Sequence, residues 1–194
     1  GSNWCSSRQR PNENDWTIKI SSAIEEAYNY RPYQKNKDSV ISILSINTAK
    51  QIANKIEDLN SKFTFKDNIK EFNISDIVLG HTAHLTASDK FGNVVSLTQT
   101  LGPNMGSKVA SKGLGFLYNV TMGPYLGGYL GQDKPGDRSS SHISPTLFTS
   151  NKEVVLALGA AGGNKIPVAI NQVAYRYLKQ NLTLSDALFM PRTY

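Results

Sequence analysis

Apolar and polar positions recur along this chain with two periods, and their order predicts helix first, then strands, then helix again. Trp16, Ile20, Ala23, Ile24 and Ala27 return at helical spacing, which predicts an amphipathic helix over 16–30 that stops ahead of Pro32. Ala49, Ile52, Ala53 and Ile56 share one face of a second helix over 47–59, with Asn47 as its N-cap. The period then falls to two. Residues 82–88 are small and β-branched, 89–93 have turn chemistry around Gly92, and 93–100 alternate again, so 82–100 reads as a hairpin. A second hairpin joins 143–149 to 153–158 across Ser150-Asn-Lys. Ile166, Ala169, Ile170, Val173, Ala174 and Tyr177 mark the inward face of a helix over 166–178, and a short last helix begins after Thr183 and ends before Pro191.

The stretches between these elements are polar or glycine-rich. Gly1-Ser2 looks like an expression scar, and 3–15 is a polar leader containing Pro11. Residues 61–80 read as a polar linker, the kind of place in which a processing loop is expected. From Leu101 to Gly136 many glycines interrupt a long loop holding one strand, 116–120, and long loops in compact domains are often functional. The chain therefore divides into a leader (1–15), a helical segment with its linker (16–81) and a strand-rich segment (82–194), within one structural domain overall. Paired antiparallel hairpins flanked by helices make it a layered α/β (α+β) protein.

Composition narrows the classes of function. With 194 residues, 39% of them hydrophobic and 19% charged, the chain can bury a sizeable core. No apolar run reaches the length of a transmembrane segment. The net charge of +6 would suit a polyanion, but Lys and Arg are scattered without interleaved aromatics, which argues against nucleic acid. Cys5, the single cysteine, has no internal disulfide partner and no metal-ligand company, and no metal or cofactor is implied. Sequons at Asn73, Asn119 and Asn181 are adequately explained by chance in a chain rich in Asn, Ser and Thr.

Three ordered segments carry chemistry of a known kind. Thr82-Ala-His-Leu-Thr-Ala-Ser-Asp-Lys-Phe-Gly-Asn, with its strand ending in Thr98-Gln-Thr, resembles the start of the small subunit of γ-glutamyltranspeptidases, after their autocleavage site. Ser141-His-Ile-Ser-Pro-Thr resembles the family's Ser-Ser-Met-Ser-Pro-Thr, and Gly159-Ala-Ala-Gly-Gly-Asn-Lys-Ile its Gly-Ser-Pro-Gly-Gly-x-Arg-Ile. The resemblance spans most of 16–194 and implies the N-terminal-nucleophile hydrolase architecture, two stacked antiparallel sheets between helical layers. It also implies a full protein with a large-subunit body upstream, supplying an arginine for the substrate carboxylate, and further sheet downstream. A periplasmic, extracellular or cell-surface location is implied as well.

Carried over residue by residue, the resemblance makes Thr82 the nucleophile, freed by a cut after His81. A threonine hydroxyl needs a base, and the α-amine released by that cut is one. Thr100 hydrogen-bonds the nucleophile, while backbone N–H groups of Gly162 and Gly163 form the oxyanion hole. Ser141, with His142 in place of a second serine, binds the substrate α-carboxylate, and Arg138 supports that loop or helps bind an anion. Each has a plainer reading: β-propensity for Thr82, alternation on an exposed strand for Thr100, an ordinary strand-to-helix turn for the glycines and a solvated surface charge for Arg138. His84 reads as a structural or supporting histidine. The implied substrate is a small γ-glutamyl compound or a γ-linked glutamyl polymer, and the implied partner is the large-subunit portion of the same precursor. The competing reading is a non-catalytic, truncated or unprocessed family member that binds a ligand or partner chain.

Departures cluster in recognition. Gly102 stands where the family commonly has Asn, Thr121 and Pro124 where it usually has Gln and Asp for the substrate α-amino group, and Ala83 replaces a second threonine. The catalytic parts are kept better than the glutamyl-recognition parts.

Overall fold

The computed structural model of the chain describes residues 12–30, 37–60, 81–121, 136 and 141–194. Cys5, the linker at 61–80, Pro124 and Arg138 lie outside the described residues. Chain contacts form two compact units, one containing the first three helices and the other the strands with the last two helices.

In the first unit, α1 (Glu13–Asn29) packs on α3 (Ile46–Asn60), with the short α2 (Lys37–Ile43) also against α3. Trp16 and Ile56 are buried as their spacing requires. The buried face of α1 nevertheless also includes Ser22 and Glu26, while Ala27 is exposed. Glu26 tolerates burial because Lys55 on α3 donates to it, and the same hydrogen bond holds the Lys55 ammonium above its usual pKa. The N-cap of α3 is Ser45 rather than Asn47: the Thr48 N–H donates to Ser45 Oγ at 3.1 Å. The heptapeptide α2 has no apolar period long enough to announce it.

The second unit begins with β1 (Thr82–Ser88) and β2 (Val94–Thr100), antiparallel from Ser88↔Val94 to Thr82↔Thr100. Asp89 builds the turn. Its Oδ1 accepts the N–H groups of Phe91 and Asn93 at 2.9 Å each, and its Oδ2 accepts the Asn93 side-chain amide at 2.7 Å. These donors, the Asn93 amide foremost, hold the Asp89 carboxyl below the ordinary aspartate range. One face of the hairpin carries Thr82, His84, Ser96, Thr98 and Thr100, half-buried or buried; the other leaves Leu85, Val95 and Leu97 exposed.

After β2 the expected strand at 116–120 is not formed. Leu117 makes a single bridge to Ala110, and Ser107, Val109, Tyr118, Ser111 and Phe116 exchange backbone bonds around it. Positive φ at Met105, Lys108, Gly113 and Gly115 breaks the extended backbone a regular ladder needs.

β3 (Thr146–Ser150) and β4 (Glu153–Leu158) form the second hairpin, starting three residues later than expected on its first strand. Asn151 and Lys152 both have positive φ, at 50° and 69°, the conformation of a two-residue turn that matches strand twist. A bulge falls between Phe148 and Thr149. A 3-10 turn (Gly163–Lys165) then leads into α4 (Ile166–Lys179) and α5 (Leu184–Phe189), the latter capped by Thr183 Oγ1 accepting from the Asp186 N–H.

The core of this unit lies where α4 meets β4 and α5: Ile166, Val168, Ile170, Val173, Ala174, Leu182, Ala187 and Leu156 are buried. α4 also buries Gln172 and Arg176, at 0% and 1% exposure, one helical turn apart. Among the described residues no helix is long and apolar enough to cross a membrane.

Two outcomes are expected. Leu182 packs with Val173 and Ala187 against Leu158, Tyr177 and Met190, so Leu182→Ala should cost about 2–5 kcal/mol, read by denaturant unfolding. A carboxyl with a depressed folded pKa stabilises the fold above its unfolded value near 4 and loses that contribution as pH falls through the folded value. Asp89→Ala should therefore lower Tm at neutral pH and flatten the acid limb of the Tm-against-pH curve, which thermal melts from pH 7 downward would show.

Candidate active site

Thr82 opens β1 and Thr100 closes β2, and the antiparallel register sets them directly opposite each other at the end of the hairpin away from its turn. Both point to the half-buried face because side chains two apart on a strand point the same way and Thr98, two before Thr100, is buried on it. Thr100 Oγ1 accepts the Gly102 N–H at 3.1 Å, which leaves its own hydroxyl proton to donate elsewhere. Gly102 thus acts through its backbone, which has a positive φ of 88° that favours glycine.

His84 lies next along this face. Its Nδ1 is 2.8 Å from Thr98 Oγ1, its register partner across the hairpin, and its Nε2 is 3.0 Å from Thr86 Oγ1 on its own strand. The supporting position read from sequence is therefore filled by a ring tied at both nitrogens.

The second hairpin meets this face at the exit of β4. Ser96 Oγ donates to the Leu158 carbonyl at 3.3 Å, and the His84 ring packs on Gly159. From Gly159 the chain turns through Gly162, with φ 136°, and Gly163, with φ 61°, both backbone conformations that L side chains rarely adopt. Gly162 accepts from the Lys165 N–H at 3.2 Å, and Gly163 from the Ile166 N–H, so the turn is locked onto the start of α4. A Cβ placed on Gly163 would meet nothing within 4 Å, so backbone conformation and not crowding favours glycine there. Backbone amides beside a helix start are suited to an anion or a developing oxyanion.

Ser141 and His142 lie in the segment that leads into the second hairpin at Thr146, which is paired with Leu158. Exposed Ser141 accepts the Ile143 N–H at 3.2 Å, Ser144 Oγ donates to the His142 carbonyl at 3.0 Å, and Thr146 Oγ1 to the Ser144 carbonyl at 2.9 Å. This ladder of short-range bonds fixes the backbone of 141–146. Thr121 is buried and donates to Asn119 Oδ1 at 3.2 Å.

The structure thus pairs Thr82 with Thr100, and it joins their face to the β4 exit that continues into Gly162 and Gly163. The 141–146 segment enters the second hairpin beside that exit. Two contributors escaped the sequence reading. Ser96 carries no signal beyond strand alternation, and the packing of Gly159 on His84 is signalled only by a glycine in a glycine-rich segment.

Comparison with known proteins gives one consistent result. Residues 7–194 match the sequence model of the family described as gamma-glutamyltranspeptidase. The glutathione hydrolase proenzyme of Pseudomonas aeruginosa is 34% identical over 125 residues, covering 58% of this chain and 22% of its own length. The glutathione hydrolase proenzyme 1 of Schizosaccharomyces pombe is 28% identical over 188 residues, covering 91% of this chain and 29% of its own. The chain therefore spans less than a third of the length of these curated relatives. A crystal structure of gamma-glutamyltranspeptidase from Helicobacter pylori superposes with a TM-score of 0.50 at 32% identity, over 57% of this chain and 66% of that one. Paired hairpins, a glycine turn into α4 and a family match running almost the whole length agree that this chain belongs to the gamma-glutamyltranspeptidase family and has its α+β, N-terminal-nucleophile hydrolase fold.

Proposed function

We propose that this chain carries the reacting residues of an autoprocessing acyltransferase and hydrolase that moves a γ-glutamyl or related acyl group from an amide to an amine or water. The observation that carries the reading is the register pair Thr82↔Thr100, half-buried on the face that meets the β4 exit. In the uncut chain the Thr82 nitrogen is an amide and cannot serve as a base. Attack of Thr82 Oγ1 on the His81 carbonyl breaks the peptide bond and forms an ester, freeing the α-amine. Water then hydrolyses the ester and releases the hydroxyl.

In turnover the free α-amine takes the hydroxyl proton while Oγ1 attacks the donor carbonyl. Gly162 and Gly163 N–H groups hold the oxyanion, the leaving amine departs with the proton, and an acyl ester remains on Thr82. An amine or water resolves it with the α-amine again as base. Thr100, whose oxygen already accepts from Gly102, donates toward Thr82 and orients it. Ser141, accepting from Ile143, has its own proton left to offer the substrate carboxylate, with His142 and Arg138 as further recognition groups. The large-subunit portion of the precursor completes the pocket.

A second reading, a family member that binds a ligand or partner chain without turnover, is favoured by Thr121. It turns its hydroxyl inward to Asn119 at a position where the resemblance leads one to expect a group for the substrate α-amine.

Denaturing mass spectrometry of the full-length protein is expected to find two fragments meeting at His81–Thr82. Thr82→Ala should stay whole and fail to turn over a γ-glutamyl anilide. An intact mass after long incubation together with no turnover would establish the second reading instead. Gly162→Ala, by forcing the amide out of its φ, should lower kcat by about 10²–10³-fold in the same assay.

A further inference from the structure

We propose that His84 is a positioning residue that sets the spacing between the Thr82–Thr100 end of the first hairpin and the 159–163 turn, and that position 159 is glycine because the imidazole fills the space a side chain would take. A Cβ built on Gly159 would lie 1.9 Å from His84 Nδ1, 2.1 Å from Cε1 and 2.3 Å from Cγ. Real Cβ atoms do not approach that closely, so the ring rests directly on the Gly159 backbone. Gly159 is not among the positive-φ glycines, whereas Gly162 and Gly163 are. The same short segment therefore holds glycines of two kinds: at 162 and 163 the backbone conformation demands them, at 159 only the ring does.

The ring is a suitable spacer because it cannot swing. Thr98 Oγ1 holds Nδ1 across the hairpin and Thr86 Oγ1 holds Nε2 along β1, each hydroxyl being able to donate or accept as the ring nitrogen requires. Thr98 is itself buried, two residues from Thr100, and His84 is two residues from Thr82. The Ser96–Leu158 bond ties the same two elements at a second point. Thickness at position 84 therefore determines how near the glycine amides come to the threonine pair. Misplacement by about 1 Å is enough to cost about 10²-fold in rate.

This inference rests on the acyl-transfer reading above, and a four-member cycle in the full-length protein tests it: the parent, His84→Ala, Gly159→Ala and the double variant. Each is assayed for kcat and KM on a γ-glutamyl anilide, with Tm alongside. Gly159→Ala should lower kcat by about 10²-fold with KM changed less than about threefold, since spacing of the amides and not ground-state binding is disturbed. In the His84→Ala background the same substitution should cost at least about tenfold less, because the added methyl enters space the ring has vacated. Equal costs in the two backgrounds would overturn the proposal, as would effects on Tm with kcat untouched. Thr98→Val keeps the test open if Gly159→Ala does not fold: it unties Nδ1 without adding bulk, and kcat should fall at unchanged KM, an unchanged kcat overturning the spacing role. Thr82→Ala separates the two layers. Turnover that survives in it overturns the acyl-transfer reading; lost turnover in it combined with additive His84 and Gly159 effects overturns the positioning role alone.

Discussion

The turn at 89–93 holds the register on which the rest of the site depends. Side chains alternate along a strand, so a slip of one residue would send every hydroxyl of β1 or β2 to the opposite face. Asp89 prevents that slip by gathering the amides of Phe91 and Asn93 and the Asn93 side chain onto one carboxylate. The Thr82–Thr100 end of the hairpin is thus fixed from its far end. Asp89 and Asn93, although part of the segment that resembles the family, bear on the candidate site only by deciding which way Thr82 and Thr100 face.

From that register the site grows by contact between side chain and backbone. The polar face of the first hairpin meets the second through a hydroxyl on a carbonyl, at Ser96 and Leu158, and a ring on a glycine, at His84 and Gly159. The apolar core lies elsewhere, between α4, β4 and α5, where Val173, Leu182 and Ala187 anchor the helix that the glycine turn feeds. The division is physically sensible. Burial holds α4, whose start fixes the glycine amides, while directional hydrogen bonds hold the face that carries the threonines.

Much of this was legible in the chain because local rules were obeyed. The bounds of β1 and β4 follow from alternation and turn residues, and α4 from a period of 3.6 carried over four turns. Misses have identifiable causes. Gln172 and Arg176 are polar, so an apolar pattern sets them outward, yet they complete the buried face of α4. Ser45, two residues before Asn47, takes the cap of α3, and α2 is too short for any period to show. Residues 116–120 look extended by composition, but positive-φ residues around them leave only one bridge. The candidate site residues were named through resemblance. The contact of His84 on Gly159 crosses from one hairpin to the exit of the other, which no local pattern records.

The packing of His84 on Gly159 also constrains how the sequence can drift. A replacement at 159 is blocked as long as the ring is there, but a smaller residue at 84 removes the obstruction. Substitutions at this pair are therefore ordered: 84 can change first, and 159 only afterwards. Once 159 has acquired a side chain, the histidine cannot return, so the pair works as a ratchet on the history of the site.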